Sequence, residues 1–299
     1  MKILGSYTNG NYDVTIFDDG TKVRENALDN LTPAFPENID LKITDYCDRG
    51  CPFCHENSTV KGLHGDILNQ PFISTLAPYT ELALGGGNPI DHPDLVEFLH
   101  ELKGRKIVAN ITVNQKHFIE NQDFISSLVD NKLVYGLGVS VTEVTDELIQ
   151  KLTQHQNLVI HVIYGVIKPE ELTKLYGKGL KLLILGYKIF RRGESWLTKH
   201  DDEFGLNSKW MYENLPTITK EFKVTSFDNL AIRQLDVKRL MPKERWNTFY
   251  MGDDGQYTMY IDLVKMEFAV SSTSTIRHPL SSHIHDMFEV AKLDSLSIL

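Results

Sequence analysis

Residues 39–55 read IDLKITDYCDRGCPFCH, an apolar strand-like segment that runs into a short loop with three cysteines. Cys47, Cys51 and Cys54 have the spacing C-x3-C-x2-C, and no other cysteine occurs among the 299 residues. Three soft thiolates brought together by a short loop are suited to an iron–sulfur cluster. A [4Fe–4S] cluster held by three cysteines keeps one iron without a protein ligand, and that iron can bind a small molecule and pass it an electron.

Other uses of these cysteines fit the sequence less well. A disulfide framework needs pairs of cysteines and an oxidising compartment. A structural zinc site needs a fourth ligand, which His55 would supply as Cys3His, but one compact knuckle cannot organise a chain of 299 residues. Inert buried thiols are common, although three within one short loop and none elsewhere argue against them. We therefore favour the iron–sulfur site and keep a zinc-stabilised, non-catalytic binding protein as the alternative from another class.

Composition limits the classes of protein to which the chain can belong. Hydrophobic residues make up 41% of it, which supports one large domain or two small ones. No run of 18 or more apolar residues is present, so we expect no membrane span. The net charge of −9 gives no general footprint for nucleic acid, and the basic run Lys188–Arg192 is interpreted as a solvated loop. Without a recognisable secretory signal, thiolate ligands indicate the reducing cytoplasm.

Strand-like and helix-like segments alternate through the middle of the chain. Residues 1–38 read as short strands joined by turns, a small β appendage. The predicted strands that follow are Ile39–Thr44, Glu81–Gly85, Ile107–Val113, Tyr135–Val141, Leu158–Tyr164 and Leu180–Gly186. The predicted helices between them are Asp94–Lys103, Phe118–Asn131, Thr145–His155 and Pro169–Tyr176. This alternation predicts right-handed crossovers and a parallel sheet, either open or curled into a barrel.

Polar and glycine-rich segments follow these predicted strands at their carboxyl ends, where ligand sites of such sheets lie. The cysteine loop follows the first strand, and the other segments are Gly85-Gly86-Gly87-Asn88-Pro89, Asn114-Gln115, Ser140, Gly165 and Gly186-Tyr187-Lys188. Their common phase predicts one shared site.

The pattern changes after about residue 190. Residues 191–221 are predicted to be polar and irregular, and residues 222–235 are strand-like. Tyr257–Leu263 and Glu267–Ser271 indicate a hairpin, and a final amphipathic helix is expected at Ile284–Lys292.

The cysteine spacing and the glycine loop together resemble the radical S-adenosylmethionine superfamily, over roughly residues 39–190. Phe53 stands at the aromatic place of the family motif, and the glycine run resembles the family's Gly-Gly-Glu-Pro loop. The resemblance implies an α/β fold with a partial (β/α)6 TIM-like barrel at 39–190. An N-terminal β-hairpin appendage at 1–38 and an α+β extension or substrate-binding cap at 191–299 would flank it.

The resemblance also implies cofactors and the residues that hold them. Cys47, Cys51 and Cys54 would ligate a [4Fe–4S] cluster, whose open iron would hold S-adenosylmethionine. Reductive cleavage of the sulfonium would give a 5′-deoxyadenosyl radical that abstracts hydrogen from a substrate. The residues implied to contact S-adenosylmethionine are Phe53, Gly85, Gly86, Gly87, Asn88, Asn114, Ser140, Ile163, Gly165, Val166, Leu185 and Tyr187.

The sequence departs from the family pattern in two places. Asn88 stands where the family usually has glutamate, so the ammonium of S-adenosylmethionine would lose a nearby carboxylate, although the asparagine can still accept a hydrogen bond. The extension is similar to those of peptide-modifying members but has no cysteine, which predicts no auxiliary cluster.

The substrate is less defined than the cofactors. A peptide or protein is our first expectation, a small metabolite or nucleoside the second, and a glycyl-radical activase the third. An electron donor such as flavodoxin or ferredoxin is the expected partner. The polar residues proposed for the substrate side are His117, Tyr187, Arg191, Arg192, Asp228 and Asp253.

Overall fold

A computed structural model describes residues 2–27 and 30–298 and begins with a small separate sheet. Strands β1 (Ile3–Asn9), β2 (Tyr12–Phe17) and β3 (Lys22–Glu25) pair antiparallel in that order. Tyr12, Val14 and Ile16 alternate along β2 and are buried, so one face of this sheet packs inward. Short strands are therefore present in the region 1–38 where the sequence predicts them, while positions 1, 28 and 29 of that region lie outside the described residues.

A second sheet of ten strands forms the centre of the molecule. Its strands are β4 (Asn38–Thr44), β5 (Glu81–Gly86), β6 (Val108–Asn114), β7 (Gly136–Ser140), β8 (Leu158–Ile163), β9 (Lys181–Leu185), β10 (Val224–Phe227), β11 (Thr258–Asp262), β12 (Glu267–Ala269) and β13 (His278–Pro279). Their order is β10-β9-β8-β7-β6-β5-β4-β11-β12-β13, and every pair from β10 to β11 is parallel. The six predicted strands are confirmed, and the chain has an α/β fold with a large, mostly parallel sheet.

Helices connect the strands. They are α1 (Leu95–Gly104), α2 (Gln115–Glu120), α3 (Gln122–Asp130), α4 (Asp146–Leu152), α5 (Pro169–Thr173), α6 (Arg192–Lys199), α7 (Asp201–Glu221), α8 (Asn229–Leu235), α9 (Lys243–Phe249) and α10 (Ile284–Ile298). The single helix predicted at Phe118–Asn131 is two helices, because Asn114 caps α2 through the backbone N–H of Lys116 and Asn121 breaks the chain between α2 and α3. None of the helices is long and apolar enough to cross a bilayer, in the part of the chain that the structure describes.

The prediction of irregular structure at 191–221 is wrong. This segment forms α6 and α7, and α7 buries Met211, Leu215 and Ile218, which lie on one face at helical spacing. Pro216 inside α7 obscured that pattern, since proline normally ends a helix.

The strand-like reading of residues 222–235 is correct only for its first part. After β10, Asp228 accepts a hydrogen bond from the backbone N–H of Ala231 and thereby caps α8. The predicted hairpin is confirmed as β11 and β12, and the terminal helix α10 extends beyond its predicted end.

The carboxyl-terminal third joins the central sheet. Strand β11 pairs parallel with β4 from Thr258, opposite Asn38, to Asp262, opposite Lys42, and β10 pairs with β9 at the other side. Segments from the extension therefore flank the six-strand core on both sides, and their residues reach the strand ends where the cysteine loop lies.

Candidate active site

The cysteine loop leaves β4 and folds back on the segment that follows it. The backbone N–H of Cys47 donates to the carbonyl of Thr59 at 3.0 Å, and that of Asp45 donates to Leu63 at 2.8 Å. Cys47, Cys51 and Cys54 are half-buried and line one cavity of about 320 Å³. Burial raises the pKa of the Cys47 and Cys51 thiols, so a bound metal would be needed to favour their thiolates.

The glycine loop after β5 pairs with the start of the cysteine loop. The backbone N–H of Gly87 donates to Thr44 at 2.7 Å, and that of Asn88 donates to Tyr46 at 2.7 Å. A Cβ atom on Gly87 would lie 2.0 Å from the Tyr46 carbonyl oxygen, so only glycine allows this approach. The glycines thus position two loops against each other.

Most of the residues implied to contact S-adenosylmethionine line the same cavity as the cysteines. These are Phe53, Gly85, Gly86, Gly87, Asn114, Ser140, Ile163 and Leu185. They come from six separate segments, and the parallel strands bring them together, as their common phase predicted.

The other four implied residues lie behind the cavity wall. Asn88 is buried and donates to Asp91 at 2.7 Å. Gly165 faces Phe204 of α7, Val166 is buried, and the hydroxyl of Tyr187 donates to the Gly193 carbonyl. In this conformation their side chains support the wall and do not line the cavity.

The donor set fits an iron–sulfur cluster better than a single zinc ion. Two thiolates on one zinc lie at most about 4.6 Å apart, since each Zn–S bond is about 2.3 Å. Among the described residues, the three cysteine sulfurs do not form a group within 4.8 Å, and the one group of three potential ligands that does is Cys47, Asp48 and His117. A cluster separates its cysteine sulfurs more widely because several irons lie between them. His55, the alternative fourth ligand, lies 3.3 Å from Lys188 and 3.2 Å from Glu56.

Asn114 adds a polar contact to one of these sulfurs. Its Nδ2 lies 3.7 Å from the Sγ of Cys51, within reach of a hydrogen bond to sulfur. The Oδ1 of the same side chain accepts from the backbone N–H of Lys116 and caps α2, which fixes the side chain in place. Hydrogen bonds to the sulfurs are one of the factors that set a cluster's reduction potential.

A buried ion cluster supports the cysteine loop from below. The Nζ of Lys42 lies 2.6 Å from Asp45, 2.9 Å from Glu56 and 3.2 Å from Asp262. Burial alone would lower the pKa of Lys42, but the charge of Glu56 and the hydrogen bonds to Asp45 and Glu56 raise it. The lysine is therefore charged and ties β4, the segment after the cysteines and β11 together.

The interpretation of Lys188–Arg192 as a solvated loop is wrong. Arg191 donates to the Glu56 carbonyl at 2.7 Å, and Arg192 donates to the Ser58 carbonyl at 2.6 Å. Lys188 lies 2.9 Å from the hydroxyl of Ser272. Residues of this basic run thus hold the segment after the cysteines in place by hydrogen bonds. A local sequence pattern cannot predict these contacts, because the partners are distant in sequence.

The remaining residues proposed for the substrate side are dispersed. His117 lies 2.6 Å from the carboxylate of Asp48 beside the cysteine loop. Asp228 caps α8, and Asp253 accepts from the hydroxyl of Tyr250 and lines a separate cavity near α10. None of these three side chains lines the cavity with the cysteines, within the ranges 2–27 and 30–298.

Sequence reasoning missed several polar residues that do line the cavity. Among them are Asp40, Thr112, His161 and Tyr260. A charged residue in an otherwise apolar strand, as Asp40 is in β4, was the signal available for the first of them.

Comparison with known proteins identifies a structural likeness alone. No protein-family model matches the sequence, and no curated protein matches it. The chain is similar to Streptococcus suis SuiB bound to its precursor peptide SuiA, with a TM-score of 0.53 and 13% sequence identity over 88% of this chain and 65% of that one. It is also similar to SuiB bound to S-adenosylmethionine, with a TM-score of 0.52 and 15% identity over 88% of this chain and 64% of that one. The chain thus spans just under two thirds of the length of these structures, and the likeness shows a shared fold.

Proposed function

We propose that this protein is a radical S-adenosylmethionine enzyme that abstracts hydrogen from a peptide or protein substrate. One observation carries the proposal: the three cysteines, the glycine loop and Ser140, Ile163 and Leu185 line a single cavity. The C-x3-C-x2-C spacing supports a cluster with one open iron, and the similar SuiB fold accommodates S-adenosylmethionine.

In this proposal the chain's own residues bind, orient and shield the cofactors. Cys47, Cys51 and Cys54 hold the [4Fe–4S] cluster, and Asn114 donates toward Cys51. The backbone of Gly85–Gly87 approaches the methionine end of S-adenosylmethionine, since no Cβ atom blocks it there. When bound, the cluster would supply the electron that splits the sulfonium into methionine and a 5′-deoxyadenosyl radical.

Ser140, Ile163 and Leu185 are placed to contact the ribose and adenine. They follow or end three successive strands, β7, β8 and β9. We also propose that the sheet curls into a partial (β/α)6 barrel over residues 39–190, since its consecutive strands are neighbours in the order such a barrel requires.

The peptide assignment rests on the extension and on the structural neighbour. Tyr260 and Ser272 from residues 191–299 line the cavity, so the extension contributes to its wall as a substrate-binding cap would. SuiB is bound to a precursor peptide in one of the similar structures. A flavodoxin or ferredoxin would deliver the electron.

The test is anaerobic reconstitution followed by three separate measurements. We expect iron and sulfide for one [4Fe–4S] cluster, binding of S-adenosylmethionine, and slow release of 5′-deoxyadenosine with dithionite. The variant with all three cysteines changed to alanine should lose all three, while Cys47→Ser, which keeps a weaker oxygen ligand, should lose most of the cluster. A colourless wild-type protein with one zinc, or a full reducible cluster without 5′-deoxyadenosine, would refute the proposal.

A further inference from the structure

The polar residues of the cavity divide into those with protein partners and those without. Among the charged lining residues, Lys42, Arg49, Glu56 and Lys188 are each engaged with other side chains. In the part of the chain that the structure describes, no hydrogen bond or ion pair is found for the side chains of Asp40, Thr112, His161 and Tyr260. Among the described residues, Ser58 and Ser140 also line the cavity without a side-chain hydrogen bond, and Arg277 lies over the ring of Tyr260 at 5.0 Å, so Asp40 is the charged lining residue left for a ligand.

Strand register places Asp40 and Tyr260 side by side deep in the cavity, whereas His161 lies opposite Ser140, the last residue of β7, and Thr112 lies opposite Gly138, two positions before Ser140. Asp40 lies opposite Tyr260 of β11 on one side and Ala83 of β5 on the other, and all three line the cavity. Asp40 precedes Thr44, the last residue of β4, by four positions, which at about 3.3 Å per residue is about 13 Å along the strand. The cysteines and the glycine loop follow the strand ends, so Asp40 belongs to the floor of the cavity and they belong to its mouth.

A glycine makes room for the imidazole of His161 on the cavity wall. A Cβ atom on Gly138 would lie 2.5 Å from the ring of His161 and 2.7 Å from the hydroxyl of Thr112. The ring of His161 therefore crosses β7 toward Thr112. Burial lowers the pKa of His161 to about 4, so the ring is neutral near pH 7 and adds no positive charge to the cavity.

The charges near Asp40 favour a cation. The Asp40 side chain is open to the cavity, but the protein around it still raises the pKa of its carboxyl; Lys188 is the strongest single charge and lowers that pKa, while Asp254, Asp228 and Glu56 raise it. Three carboxylates and one ammonium thus act on Asp40. Tyr260, which is 5% exposed, lies beside it; Arg277 already lies over the Tyr260 ring at 5.0 Å, so the hydroxyl is the part of Tyr260 left for a ligand.

We propose that the cavity floor formed by Asp40 and Tyr260 binds a cationic group of the substrate, an alkylammonium or a guanidinium. This inference rests on the proposed function. That function assigns the mouth of the cavity to the cofactors and thereby leaves the floor for the substrate. The Asp40 carboxylate pairs with the cation, and the hydroxyl of Tyr260 accepts another of its N–H groups. A lysine or arginine side chain of a peptide carries such a group.

The test uses n-butylammonium and n-butylguanidinium as probes on the full-length protein, with n-butanol as the neutral counterpart. Binding is measured by ligand-observed NMR, with and without the reconstituted cluster. We expect at least one cation to bind and the alcohol not to bind. Asp40→Asn should weaken cation binding about tenfold or more, the scale of one charged hydrogen bond. The control Asp286→Asn removes a carboxylate that is 69% exposed on α10 and should change nothing.

Several outcomes would overturn the inference. They are no cation binding to the wild-type protein, equal binding of n-butanol, or undiminished binding to Asp40→Asn. Weaker binding of S-adenosylmethionine to Asp40→Asn would assign the carboxylate to the cofactor instead. If Asp40→Asn fails to fold, a wild-type crystal soaked with n-butylguanidinium decides the point, since density at Asp40 is expected and density elsewhere contradicts the proposal.

Cluster content and 5′-deoxyadenosine release are recorded on the same samples. Cation binding by a protein that takes up no cluster on reconstitution would overturn the proposed function and keep the cation site. A protein that has a full cluster and releases 5′-deoxyadenosine but binds no cation would keep the proposed function and overturn the cation site.

Discussion

Replacing Lys42 with methionine should destabilise the protein strongly, because three carboxylates surround its ammonium. Lys42→Met keeps the length of the side chain and removes its charge. The side chain of Lys42 is 1% exposed, so water cannot take its place. Removing one partner from a buried ion pair costs about 3–5 kcal/mol, since the remaining charge is left uncompensated.

The structure indicates the lower end of that range. Asp45 is 26% exposed and can be hydrated, and Glu56 keeps Arg191 at 3.6 Å. Asp262 is 2% exposed and keeps only the backbone N–H groups of Val264 and Lys265, on its other oxygen. The cost therefore falls mainly on Asp262, and we expect about 3 kcal/mol, or a fall in melting temperature of about 6–12 °C.

Thermal unfolding followed by circular dichroism measures this loss. Lys151→Met is the matched control, since Lys151 is 26% exposed and lies 3.9 Å from Glu147, and it should shift stability by less than about 0.5 kcal/mol. Adding Asp262→Asn to Lys42→Met should restore part of the loss, because it removes the uncompensated charge. A melting temperature of Lys42→Met equal to that of Lys151→Met would refute the reasoning, as would a double variant no more stable than Lys42→Met.

Three further predictions concern the loops around the cavity. Burial would raise the pKa of Glu56, but the hydrogen bond from His55 and the charges of His55 and Lys42 hold it well below its ordinary value of 4.5. Its stabilisation is therefore fully present above about pH 4.5 and lost as the pH falls below that value, so the difference in unfolding free energy between wild type and Glu56→Gln should shrink only on the acid side. Gly87→Ala should lower both melting temperature and cluster content through its clash with Tyr46, whereas Gly85→Ala, whose Cβ meets nothing within 4 Å, should leave the melting temperature unchanged; equal effects would contradict the loop contact. Asn114→Ser keeps a cap for α2 and removes the donor to Cys51, so the reduction potential of the cluster should become more negative in a potentiometric titration, and an unchanged potential would show that this contact does not tune it.

The strands of the core could be predicted from sequence because each of them is a short apolar segment, and this pattern can be recognised without knowledge of distant contacts. Leu158–Ile163, for example, is a short apolar run followed by a turn, which is typical of a strand covered on both faces. The common phase of the loops then follows from parallel topology, and for this reason Gly85, Ser140 and Leu185 could be expected at one site before any coordinates were known.

The missing parts depend on contacts between distant residues. Nothing near Arg191 in the chain indicates that its guanidinium reaches the carbonyl of Glu56, 135 positions away. Asp40 was overlooked because a charged residue counts against a strand in sequence-based prediction. Residues two positions apart in a strand point to the same face, so Asp40 and Lys42 lie on one face of β4. The helix α7 was missed because Pro216 outweighed the spacing of its apolar residues.

The carboxyl-terminal third is part of the site's support. If the chain ended near Arg192, β4 would lose its parallel neighbour β11 along five residues, and Lys42 would lose Asp262. The strand that leads into the cysteine loop would then become an unpaired edge, which invites association with other chains. Ser272 would no longer reach Lys188, and Tyr260 would leave the side of Asp40. Substrate binding and cluster binding therefore cannot be separated by truncation in this fold, and point substitutions on the cavity floor are the way to separate them.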